Sequence, residues 1–169
     1  MSITMYEATV PQFIRMLGNL KGILQKAATH AAEKKIDETA FTSARLFPDM
    51  LPLTAQVQIA TDMARGTVAR LAGLEPPKVD DNEKTFAELI ARVDLALDYL
   101  RAFSADKLDG AETREVKRSL RGRDLTFTGL NYLAQFGLPN FYFHVTATYA
   151  ILRHNGVDLG KSDFIGPLS

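Results

Sequence analysis

Between residues 6 and 27 the apolar side chains Tyr6, Val10, Phe13, Leu17, Leu20, Leu24 and Ala27 recur at alternating spacings of four and three. That rhythm places them on one side of a helix, and a helix with one apolar side must be covered by other helices or a sheet. The spacing is that of a bundle seam. It predicts a helix over residues 4–34, opened by a capping box in which Thr4 and Glu7 each satisfy a backbone N–H of the first turn. Pro11 works against that start, because inside a helix it removes one hydrogen bond and crowds the preceding turn. A kink at Pro11, or a start near Thr9, is the alternative.

Three further segments carry the same kind of stripe. Leu53, Val57, Ala60, Ala64, Thr67 or Val68, and Leu71 predict a second long helix, with Asp49 as N-cap, Pro52 in the first turn, and Gly73 with Pro76-Pro77 as the stop. Thr85 and Glu88 form a second capping box ahead of Phe86, Leu89, Ile90, Val93, Leu97, Leu100 and Phe103, which predicts a third helix to about Ser104. A fourth runs from about Pro139 to Asn155, preceded by a short helix near 129–137 and closed by Gly156. Residues 35–48 read as a connection with one helical turn near 37–43, whose Phe41, Leu46 and Phe47 cap one end of the core. Residues 116–120 and 124–128 read as two strands around a glycine turn, and the tail after Gly156 reads as a loop. Four one-sided helices that need each other to bury their stripes make one domain over residues 1–169: an all-α, up-down four-helix bundle with a small β-hairpin before the last helices.

Composition narrows the chemistry. Twenty basic and twenty acidic residues cancel, so no long-range field gathers nucleic acid or anionic membrane, and neither is expected as a partner. The absence of cysteine removes disulfides, thiolate metal sites and cysteine nucleophiles together. The start Met1-Ser2-Ile3-Thr4-Met5 lacks the basic and apolar run of a signal peptide, and a cytoplasmic location is the expectation. There is no G-x-S-x-G elbow, phosphate-cradling loop or H-E-x-x-H pair.

Only His30, His144 and His154 supply imidazole. His30 and His154 lie toward helix C-termini, where a solvated ring favoured by the helix dipole accounts for them. His144 sits within the aromatic run Phe141-Tyr142-Phe143-His144, where its ring faces other helices and must find a partner. Asn140 and Thr148, four residues to either side, share its face. Tyr149 is a further candidate, though a core aromatic is the simpler reading. On the second helix Gln56 falls on the inner stripe and Gln58 off it, and Asp62 reads as a solvated partner of Arg65. The basic run Arg114, Lys117, Arg118, Arg121 and Arg123 reads as a solvated hairpin or as a grip for an anion, diluted by Glu112, Glu115 and Asp124.

The segment from Pro139 to Gly156, with Gly160-Lys161-Ser162-Asp163-Phe164 after it and Arg45-Leu46-Phe47-Pro48-Asp49-Met50 before it, resembles the uncharacterised DUF1993 family. That family is similar to the DinB/YfiT-like superfamily of four-helix bundles, many of which hold a divalent metal with three histidines, one on helix 2 and two on the last main helix. His144, Arg153 and Gly156 match the end of the superfamily's last helix. On that register Asn140 stands where the preceding histidine belongs, and Gln56 stands where the helix 2 histidine belongs. One metal ligand of three, His144, is retained. The resemblance therefore implies a degenerate site formed by Gln56, Asn140 and His144, with Thr148 and Tyr149 nearby. No cofactor is expected there, zinc or nickel being the metals the superfamily would supply. It implies a small-ligand-binding or structural module, a homodimer with an unknown small molecule as partner, and as the alternative a metal- or histidine-dependent transferase or hydrolase.

Overall fold

The computed structural model describes residues 3–120 and 122–168. Met1, Ser2, Ser169 and Arg121, the last named above within the basic hairpin run, lie outside the described residues, as does the Leu120 side chain. Four long helices dominate: α1 (Val10–Lys34), α3 (Leu53–Leu71), α4 (Phe86–Arg101) and α6 (Leu138–His154). Three short ones accompany them, α2 (Thr39–Thr42), α5 (Gly129–Tyr132) and α7 (Lys161–Ile165), with a hairpin of β1 (Glu115–Leu120) and β2 (Arg123–Thr128). The fold is mostly helical. α1 packs against α4, α3 against both α4 and α6, and α6 closes back onto α1.

The stripes account for this arrangement. Phe13, Leu17, Leu20 and Leu24 of α1, Leu53 and Val57 of α3, Leu89, Val93 and Leu97 of α4 and Ile151 of α6 are all buried in one continuous apolar cluster. Thr67 and Val68, offered as alternatives, are both buried. The hairpin is antiparallel, with Val116 opposite Phe127 and Arg118 opposite Leu125, so these four side chains share the face turned toward α5. Gly129, which opens α5, permits a close crossing: a Cβ there would lie 1.8 Å from the Ala111 carbonyl oxygen.

Several boundaries differ from the sequence expectation. Thr4 and Glu7 do exchange the capping-box bonds, at 2.9 and 3.2 Å, but they close an isolated turn. Helix α1 begins at Val10, where Pro11 falls in the first turn and its missing N–H costs nothing. Asp49 is not the N-cap of α3, which starts after an extended Pro52, because Pro52 itself presets the entry. Thr85 and Glu88 form their capping box as expected. The short helix near 129–137 and the fourth helix are continuous, joined by one wide π turn over Leu133–Gly137. Leu46 and Phe47 do not cap the core: they are exposed, and Phe41 alone of the three is buried. The tail is not a plain loop. It folds as α7, which α1 ties down through Asn19 Nδ2 donating to the Phe164 carbonyl (2.9 Å) and through Lys26 with Asp163 (2.7 Å). These contacts are long-range and leave no periodic trace in so short a segment.

Candidate functional site

Gln56 and His144 meet. Gln56 sits one turn into α3 on its buried side, and His144 occupies the middle of α6, which packs along α3. Their side chains bond at 2.7 Å between Gln56 Oε1 and His144 Nδ1. The other end of the Gln56 amide donates from Nε2 to the Leu51 carbonyl at 3.1 Å. That bond orients the amide, so the oxygen faces the ring and Nδ1 must carry the hydrogen. His144 Nε2 is then left with its lone pair. It makes no hydrogen bond to the described residues, and the residue keeps 9% of its surface open to solvent.

Burial holds the His144 pKa below its ordinary value of 6.5, and the ring is neutral at pH 7. The unfolded chain takes up this proton near its ordinary pKa while the native state resists it. The His144 contribution to stability is therefore complete above about pH 6.5 and is lost as the pH falls through the lower native pKa. The urea midpoint should decline as the pH falls below about 6.5, and the decline should be shallower in His144→Gln.

The other expected members are not all assembled here. Asn140 is half-buried and turns away, its amide donating to the Phe136 carbonyl at 2.7 Å in the π turn. A shared helical face does not bring it to Gln56, because a nearer backbone acceptor satisfies it first. Thr148 is fully buried and its hydroxyl donates back to the His144 carbonyl at 2.9 Å. Tyr149 packs its ring against Phe164, 6.0 Å between centroids, on the side of α7. An apolar groove of about 330 Å³ lies along a neighbouring face of α6, formed by Leu46, Met50, Phe143 and Ala147 among others, and neither His144 nor Gln56 lines it. The Phe143 ring stands edge-on to His144 with centroids 5.2 Å apart.

The donor set does not suit a transition metal. It offers one imidazole and two amides, of which Gln56 has its oxygen engaged by His144 and Asn140 is turned elsewhere, whereas zinc and nickel prefer several imidazole or anionic ligands. Among the described residues no three His, Asp or Glu side chains are gathered as a metal would need.

A second polar cluster escaped the sequence reading. Arg92 of α4 is buried, yet its guanidinium binds the Glu83 carboxylate (2.8 Å), Asp62 (2.9 Å), Asp81 (2.8 Å) and the Asp80 carbonyl (2.9 Å), and Nε donates to Thr61 (3.0 Å). Gln58 is buried too, contrary to its placement off the stripe, and donates to Glu83 at 2.8 Å. Asp62 also pairs with Arg65, as expected, although that arginine is buried. The available signal was Arg92 standing between Leu89 and Ala96 on the apolar stripe, downstream of the acidic run Asp80-Asp81-Asn82-Glu83. The network fastens the 80–83 segment across α3 and α4.

Among the described residues no helix is long and apolar enough to cross a membrane. No curated protein matches the chain. The crystal structure of a DinB family member protein from Shewanella denitrificans superposes with a TM-score of 0.90 and 43% sequence identity, over 96% of this chain and 92% of that one. The domain of unknown function DUF1993 matches residues 5–165, nearly the whole length, and the chain belongs to that family.

Proposed function

We propose that this chain is a single helical-bundle domain that binds a small ligand at the α3–α6 seam, on the remnant of a metal site. One observation carries the reading: Gln56 holds His144 as a neutral Nδ1–H tautomer and leaves Nε2 without a partner among the described residues, while Phe143 and Ala147 on the neighbouring face of α6 line an apolar groove. A buried imidazole locked in this way recognises a ligand that offers one N–H or O–H donor from an apolar body. The fold of a DinB family member supports the placement of the seam.

The transferase or hydrolase reading uses the same nitrogen, since a neutral Nε2 is the form that accepts a proton as general base. It is the weaker of the two, because Gln56 is neutral and lends no charge to the imidazolium that such a step would create.

Two measurements test the proposal. Purified protein offered zinc, nickel and manganese should retain none stoichiometrically after desalting. Tight zinc or nickel that is lost in His144→Ala would overturn the reading in favour of the metal-dependent alternative. In histidine-labelled protein, a small phenol should shift the His144 Nε2 resonance, and Gln56→Ala should mix the two tautomers. An unshifted Nε2 across a panel of phenols and anilides would sink the proposed ligand chemistry.

A further inference from the structure

The opposite end of α3 carries a different concentration of charge. Arg70 lies fourteen residues after Gln56, about 21 Å along the helix at 1.5 Å per residue. There Arg70, Lys117 and Arg118 line a cleft of about 400 Å³ between the end of α3 and β1, together with Gly73, Glu75 and Glu115. Lys117 is matched by Glu115 at 3.0 Å. Arg70 and Arg118 have no carboxylate partner among the described residues.

Each guanidinium is held in place by contacts that leave donors to spare. Arg70 gives one N–H to the Gly66 carbonyl at 3.0 Å. Arg118 lies half-buried over the Phe136 ring, 5.6 Å from its centroid, and its Nε is buried without any partner. Burial first, and then the positive charge of Arg70, push the Arg118 pKa down, so the two cations feel one another. Native structures seldom leave such groups unmatched unless something else supplies the match.

We propose that this cleft binds a compact dianion, the phosphate group of a small phosphate monoester, gripped between Arg70 and Arg118. A planar guanidinium meets two phosphate oxygens at once, and two such forks without counter-charges are balanced by a dianion better than by a single carboxylate. Glu75 and Glu115 on the wall confine the positive field to the two arginines, which favours a compact group over a nucleic-acid strand. The site is remote from His144 and does not rest on the reading given to it.

Calorimetric titration of the full chain with inorganic phosphate and with phenyl phosphate, at low salt, tests the proposal. Both should bind, Arg70→Gln and Arg118→Gln should each weaken binding by about tenfold, and Glu75→Gln should tighten it. Benzoate, a monoanion on the same ring, should bind at least about tenfold more weakly than phenyl phosphate. Arg153→Gln, which removes an exposed charge at the far end of α6, should change nothing beyond about twofold. Should Arg118→Gln disturb the hairpin, Arg70→Gln and Glu75→Gln leave β1 intact and still decide the matter. Absence of phosphate binding, equal affinity in the Arg70 variant, or benzoate matching phenyl phosphate would overturn the assignment.

Discussion

Replacing Arg92 by alanine should destabilise the protein by about 3–5 kcal/mol, the cost of leaving a buried charge without its partner. The Glu83 side chain is only 8% exposed, and Arg92 is the cation paired with it. Asp62 and Asp81 are far more open and add less, because water screens them. Burial pushes the Glu83 pKa up, yet the hydrogen bonds from Arg92 and Gln58 outweigh it and leave the carboxyl below its ordinary 4.5. Its stabilising contribution is therefore present above about pH 4.5 and is lost as the pH falls through the native pKa. In Arg92→Ala the burial is largely unopposed, and acid unfolding should begin at a higher pH than in the parent. Urea denaturation followed at several pH values checks both effects, with Asp81→Ala as the exposed comparison. If the double variant Arg92→Met, Glu83→Gln recovers much of the loss, the penalty lies in the orphaned charge and not in the packing.

Phe141→Ala should cost a similar ~3–5 kcal/mol through lost burial and the cavity left behind. Its ring is fully buried and meets Phe13 edge-on at 4.7 Å, the contact that joins α6 to α1 one turn ahead of His144. Because the two rings share one interaction, Phe13→Ala and Phe141→Ala combined should cost less than the sum of the single losses. Phe143→Ala, two positions along the same helix, should change stability by about 1 kcal/mol at most, since its ring is 56% exposed. Equal losses at 141 and 143 in denaturant unfolding would contradict this placement of α6.

The aromatic run Phe141-Tyr142-Phe143-His144 shows where sequence reading stops. Its composition places it in a buried helix, but a run without a polar face has no periodicity to say which ring is inside. Contact with Phe13 decides it. The pairing of Gln56 with His144 was legible because Gln56 stood on a clear apolar stripe and the family resemblance set the two helices opposite. The identity of the bond, and hence the tautomer, was not, for it depends on the Leu51 carbonyl reached by the chain just before α3. Asn140 shared the right face and still went elsewhere, because the π turn presented the Phe136 carbonyl within reach.

What the sequence alone determined is the set of periodic elements: four long amphipathic helices, the capping box at Thr85 and Glu88, the hairpin around Gly122, and the stripes that make one apolar cluster. These depend on residues a few positions apart, where backbone geometry leaves little choice. Only the tertiary structure decided which polar groups meet. Arg92 joins Glu83 and Asp62, Arg70 and Arg118 line one cleft at the end of α3, and α7 docks on α1. Each of these unions lies between elements distant in the chain, and each polar group settles on whichever partner the packed helices bring within hydrogen-bonding distance.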